Sequence, residues 1–267
     1  MFDCHIHSDF SSDSRMPAGT ACDRAIATGL KGLAFTDHLD IDYPDTDENF
    51  NIDFDHYIEF VKALSKQQKP QLKVAVGIEI GIQPHVIEQS LEIVRTHDFD
   101  YVLASVHILD GIDPYKKEYY RDKTRIEAYE RYLKEILFMV RNFPDFDNVG
   151  HFEYITRYAG YDDRSLRYKD HSDLFDELLQ ELIYKGKGFE VNTGSFRDKP
   201  GIRTCEYDIA VLKRYKELGG EIASLGSDAH DTAYIGYKFD VFKDILIEAG
   251  FSHAAYFEKR KPVFYRL

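Results

Sequence analysis

A distorted seven-stranded (β/α)7 barrel of the TIM-like α/β class is the fold this sequence predicts, on three observations. Short apolar runs alternate with longer amphipathic segments, which is the rhythm of βαβ units around a parallel sheet. Seven such repeats in 267 residues fit a closed barrel better than an open doubly wound sheet. Residue types that ligate metals recur at the carboxyl end of one run after another, the edge where barrel enzymes carry their chemistry. No linker or low-complexity stretch breaks the rhythm, so residues 1–267 read as one domain.

The first run, FDCHIHS (2–8), should alternate faces. His5 and His7 then project together, and Phe2, Cys4 and Ile6 point the other way, with Cys4 packed towards the helices. A helix near 17–29 follows, with Pro17 in its first turn and Gly29 as its C-terminal cap. After GLAFTDH (32–38) comes an acidic, irregular stretch, 40–57, which reads as a solvated loop or as a lid. A helix near 55–68 leads to KVAVGIEIG (73–81), and Pro84 opens a helix near 84–97. YVLASVHIL (101–109) precedes a helix over 124–142. There Ile126, Tyr129, Leu133, Ile136, Leu137 and Val140 recur at helical spacing and read as core. NVGHFEY (148–154), GFEVNTG (188–194) and EIASLGSDAH (221–230) complete the runs, with helices near 171–185, 206–218 and 238–249, the last capped by Gly250. PVFYRL (262–267) leaves room for an eighth strand.

Bulk properties exclude several classes. A net charge of −13 argues against a general grip on nucleic acid, whose phosphates need Lys and Arg. It leaves room for a small anionic substrate, because bound cations reverse a local field. Cys4, Cys22 and Cys205 have no CxxC spacing, so neither a disulfide framework nor a cysteine zinc site is implied. No apolar run approaches 18 residues and no signal-peptide pattern is present, so the cytoplasm is the expected compartment.

The chemistry lies at the ends of the runs. His5 and His7 are followed by Asp13, then by Asp37-His38, Glu79, His107, His151, Asp228 and His230. A lone HxH is as well explained by local hydrogen bonding as by metal. Six histidines with Asp13, Glu79 and Asp228 on one barrel rim would instead leave many unsatisfied polar groups, which a metal satisfies best. Arg157 and Arg197, just past the fifth and sixth runs, are the best-placed partners for a substrate anion, with Tyr158 and Asn192 behind them. His56, His97, His171 and His253 read as solvent-facing or structural, whereas His85 could border the pocket.

HIHSDFSSDS, FTDHLD, GIEIG, SVH, GHFEY and SDAH, in that order, resemble the polymerase and histidinol phosphatase (PHP) family. DHLDIDYPD, IGIQPHV and SVHILDG followed by AYERYLKEIL are most similar to its histidinol-phosphate phosphatase branch. The resemblance implies hydrolysis of L-histidinol phosphate in histidine biosynthesis and a trinuclear centre of zinc, manganese or iron. His5, His7, Glu79 and Asp228 would hold the first ion. Glu79 would bridge to a second with His107 and His151, and Asp13, His38 and His230 would hold the third. Asp13 stands where some relatives carry histidine. Water between two ions becomes a nucleophile at neutral pH, so the expected mechanism is direct attack on phosphorus without a covalent intermediate. His5, His7, Glu79, His107, Asp228 and His230 are the expected catalytic set, and a small phosphate ester is the expected partner. The alternatives are a PHP phosphoesterase acting on nucleotides or nucleic-acid ends, and a non-catalytic metal-binding module.

Overall fold

The computed structural model describes residues 1–45, 50–198 and 205–267. In chain order its elements are β1 (Phe2–Ile6), α1 (Ala18–Ala27), β2 (Gly32–Phe35), β3 (His38–Asp40), α2 (Phe54–Gln68), β4 (Lys73–Gly81), α3 (Ile87–Thr96) and β5 (Tyr101–Ser105). Then come α4 (Arg125–Asn142), β6 (Asn148–Val149), α5 (Ser172–Tyr184), β7 (Gly188–Asn192), α6 (Ile209–Glu217), β8 (Ala223–Gly226), α7 (Phe239–Glu248), β9 (His253–Glu258) and β10 (Lys261–Arg266).

Among the described residues the main sheet runs β1-β2-β4-β5-β6-β7-β8, with every pairing parallel. β3 continues the line of β2 alongside β4, with Phe35 opposite Val76 and His38 opposite Glu79. The two act as one strand broken at Thr36-Asp37, so the seven-strand reading holds. β1 returns to the end of β8: Ile6 bridges Ala229, the His7 N–H donates to the Ala229 carbonyl (2.9 Å), and the Asp228 N–H donates to the His5 carbonyl (2.8 Å). The barrel is therefore nearly closed.

The expected helices form, and their starts have local causes. Asp53 accepts the His56 N–H ahead of α2, Asp208 accepts the Ala210 N–H ahead of α6, and Thr124 with Glu127 forms a capping box on α4. Ile126 departs from the expected core set. It is 39% exposed on the first turn of α4, while Tyr129, Leu133, Ile136, Leu137 and Val140 are buried. Among the described residues no helix is long and apolar enough to cross a membrane.

Strict alternation fails in β1. Its register against β2 shifts between Asp3 and Ile6, and such a bulge re-aims side chains. Cys4 consequently does not face the helices. It is buried inside the barrel with Phe2, Ala34, Ala75, Tyr101, Leu103 and Phe257. PVFYRL is a strand but not part of the barrel. β10 pairs antiparallel with β9, and this hairpin caps the amino ends of the strands. Tyr256 stacks on Phe2 at 4.3 Å and Phe257 on Tyr101 at 4.9 Å.

The broken strand has its own support. Tyr57, fully buried on α2, directs its hydroxyl to the carbonyls of Phe35 (3.1 Å) and Gly77 (2.9 Å). Phenylalanine at this position leaves buried carbonyls without that donor. Tyr57→Phe should cost about 1–3 kcal/mol in urea denaturation; a loss under ~0.3 kcal/mol would show that the hydroxyl is not needed there.

Candidate metal centre and active site

The carboxyl ends of the strands bring all nine sequence-predicted donors to one rim. β1 carries His5 and, just beyond, His7; the following loop carries Asp13; β3 opens with His38; and Glu79 lies in β4. His107 follows β5, His151 follows β6, and Asp228 and His230 follow β8. Parallel strands require this convergence, since all end on the same side.

Glu79 is the centre of the cluster and is fully buried. Its Oε2 lies 3.1 Å from His5 Nε2, 3.3 Å from His7 Nε2 and 3.3 Å from His38 Nδ1. Its Oε1 lies 2.8 Å from His151 Nε2 and 3.3 Å from His107 Nε2. Asp228 Oδ1 faces the first pair, 3.5 Å from His5 Nε2 and 3.3 Å from His7 Nε2. Asp13 Oδ2 sits 2.9 Å from His230 Nε2 and 3.6 Å from His38 Nε2. The compact groupings are His5/His7/Glu79, His5/His151/Asp228, His38/Glu79/His107 and His7/Asp13/His38/His230.

The ring nitrogens facing away from the cluster test whether these residues suit a cation. His5 Nδ1 meets Glu190 at 2.8 Å, His107 Nδ1 meets Asp40 at 2.8 Å, and His230 Nδ1 meets the Asp228 carbonyl at 3.0 Å. His7 Nδ1 is 3.3 Å from Ser11 Oγ, whose own proton goes to Asp37. These oxygens accept, so Nδ1 carries the proton and the Nε2 lone pair points inward. That is the arrangement of metal-binding imidazoles, and the nitrogen-oxygen donor set suits zinc, manganese or iron.

Electrostatics agree. Burial alone would raise the pKa of Glu79, but His5, His38 and His107 hold it well below the usual range. Burial acts the same way on Asp228, and Arg157 and His5 overcome it. Burial lowers His151 and His230, and alone it would lower His5, His38 and His107 too. Instead Glu190, Glu79 and Asp228 raise His5 and Glu79 and Asp13 raise His38, each well above normal, while Asp40 and Glu79 raise His107 to about 10. The carboxylates draw positive charge to this point, as histidine protons or as a metal cation.

Asp228 is held in the left-handed backbone region, φ 55°. The conformation costs about 1–2 kcal/mol for a non-glycine residue and aims the two carboxylate oxygens at different neighbours. Oδ1 faces the histidines, and Oδ2 pairs with Arg157 Nη2 at 2.6 Å. Arg157 also donates to Ser195 Oγ (2.9 Å) and Asn192 Oδ1 (3.1 Å). Arg197 Nη2 donates to the carbonyls of Ser227 (2.8 Å) and Asp228 (2.5 Å), and its buried Nε has no protein partner. Both arginines line the cavity above the donors, roughly 420 Å3, together with Tyr43, Phe50, Asp113, Tyr115, Tyr154 and Tyr158.

Some sequence expectations come out differently. Asn192 is committed internally, its Nδ2 donating to Glu190 (3.0 Å) and its Oδ1 accepting from Arg157 and from the Gly194 N–H. His85 pairs with Asp42 at 2.8 Å in an exposed position away from the cavity wall. Of the acidic stretch 40–57, Tyr43 and Phe50 form one wall, with the Tyr43 hydroxyl on Asp113 (2.8 Å); residues 46–49 lie outside the described residues. Glu190 and Asp40 escaped the sequence reading. Their signal was a charged residue within or directly after an apolar run.

Residues 3–194 match the PHP domain family. The chain is 37% identical over 240 residues, 90% of each chain, to a Clostridium acetobutylicum protein named "Probable histidinol-phosphatase". It is 32% identical to the histidinol-phosphatase of Lactococcus lactis over 97% of this chain and 95% of that one. The crystal structure of histidinol phosphate phosphatase from that organism, complexed with zinc, L-histidinol and phosphate, superposes with a TM-score of 0.88, covering 98% of both chains at 32% identity. With this fold, this rim and these relatives, the chain belongs to the PHP family, among its histidinol phosphatases.

Proposed function

We propose that this protein is a metal-dependent phosphomonoesterase that hydrolyses L-histidinol phosphate to L-histidinol and phosphate, as a step of histidine biosynthesis in the cytoplasm. The carrying observation is one cavity lined by seven of the nine donors, with His5 and His7 grouped directly behind them, and by two half-buried arginines. His5, His7, Asp13, His38, Glu79, His107, His151, Asp228 and His230 would hold up to three divalent ions. Bound there, such ions activate water and neutralise charge on a phosphoryl group. Arg157 and Arg197 take the phosphate oxygens; their planar donor forks suit that geometry. Arg157, fixed by Asp228, Asn192 and Ser195, orients the ester against the donor cluster. Tyr43, Phe50, Tyr115 and Tyr158 shape the side that receives the alcohol. Three buried, unpaired cysteines suit a reducing compartment.

Phosphate release from L-histidinol phosphate, beside a panel of nucleotide and sugar phosphates, tests the reading on protein reconstituted with zinc or manganese. A kcat/KM preference for histidinol phosphate of about 10^2-fold or more is expected, the scale on which a site matched to a polar substrate discriminates. Better turnover of a nucleotide would refute the substrate and keep the centre. No turnover by folded, metal-loaded protein would favour a binding module.

A further inference from the structure

Glu190 belongs to none of the groups that face the cavity, yet it is buried at 1% exposure on β7, inside the barrel and beneath the donors. A carboxylate in such a place is costly unless it is fully hydrogen-bonded. Its Oε1 lies 2.8 Å from His5 Nδ1, on the side of the ring opposite the Nε2 that meets His7 and Glu79. Its Oε2 accepts the backbone N–H of His151 (3.0 Å) and the Nδ2–H of Asn192 (3.0 Å). Asn192 in turn accepts from Arg157, which pairs with Asp228. One carboxylate thus ties together two histidines of the cluster and, through one amide, the arginine facing the substrate.

The neighbouring strand leaves room for this contact. Gly226 on β8 lies beside Glu190, and a Cβ at position 226 would fall 1.8 Å from Glu190 Oε1. Any side chain there would crowd the carboxylate and also the His5 Cβ, 2.7 Å away, and so disturb their contact. Asp40 and Gly81 repeat the device across the barrel, where a Cβ at 81 would fall 1.7 Å from the oxygen that meets His107.

We propose that Glu190 is a positioning residue for the metal centre. It fixes the His5 tautomer and ring angle and the His151 backbone, and so sets metal affinity, while Gly226 keeps the space it needs. The inference rests on the reading that the cluster holds metal. Outer partners of this kind are worth about 10–100-fold in metal affinity. A glutamine at 190 cannot substitute, because its amide accepts on one side only and confronts a donor with a donor on the other.

The test titrates zinc, in competition with a chromophoric chelator, into metal-free wild type, Glu190→Gln and Gly226→Ala, with a thermal melt of each metal-free protein. Glu190→Gln should weaken at least one zinc equivalent by about 10–100-fold. Gly226→Ala, which crowds both Glu190 and His5, should weaken it in the same direction, and Glu190→Gln should melt within a few degrees of wild type. Wild-type affinity in either folded variant overturns the proposal. So does a collapse of the metal-free melt with zinc affinity intact, which would make Glu190 a purely structural residue. A wild type that takes up no zinc, manganese or iron refutes the metal reading itself, and this inference with it.

Discussion

Asp228→Ala is expected to lower kcat/KM for phosphate release by on the order of 10^3-fold, since metal assistance is worth several kcal/mol of transition-state stabilisation. Two connections fail at once in this variant. The oxygen facing His5 and His7 disappears, and Arg157 loses the carboxylate that holds it at 2.6 Å. The backbone allows the two losses to be separated from misfolding. Position 228 is left-handed, which asparagine tolerates better than alanine. Asp228→Asn should therefore fold with a melt closer to wild type than Asp228→Ala while sharing most of its kinetic loss. Activity in Asp228→Asn within about tenfold of wild type would show that the charge at 228 is dispensable and would sink the assigned role.

The second large effect is the pH dependence of metal uptake. Against the opposing effect of burial, neighbouring carboxylates raise His5 and His38 well above the usual imidazole value and His107 to about 10. Without a cation this favours a second proton on these rings, which a cation must displace to reach the nitrogens. Zinc affinity should therefore rise with pH by about tenfold per unit for each proton released. Folding stability of the metal-free protein moves the opposite way. A raised histidine contributes fully below its unfolded pKa of about 6.5, and that contribution is lost as pH climbs through the raised folded value. The stabilisation conferred by zinc should consequently grow from pH 6 to pH 8. Calorimetric zinc titration in buffers of different ionisation enthalpy measures the protons released at pH 7. A value of zero would contradict this electrostatic account.

The donor rim was legible in the sequence for a physical reason. A polar residue that ends an apolar run must lie at a strand end, and parallel strands all end together. What remained hidden depended on contacts between distant segments. Nothing in FDCHIHS announces the register shift that turns Cys4 inward, since a bulge is a relation to the neighbouring strand. PVFYRL reads as a strand in isolation, and only its pairing with β9 places it beneath the barrel. Glu190 has meaning only with His5 opposite it, 185 positions away. Ile126 fitted the helical period, yet it is 39% exposed, while Ala128 in the same turn is fully buried.

The hairpin beneath the barrel also bears on the order in which the molecule can be assembled. β1 is made first, and its Phe2 stacks on Tyr256, more than 250 positions later. On a ribosome the strand that supplies His5 and His7 must wait, first for β8 to lie beside it and then for residues 253–266 to close the floor beneath. Contacts of such separation slow folding and expose unpaired strand edges meanwhile. The metal-binding end of the barrel thus depends for its completion on a segment at the opposite end that touches none of its donors. A nascent chain halted before β9 should present its histidines on an open, unsealed sheet.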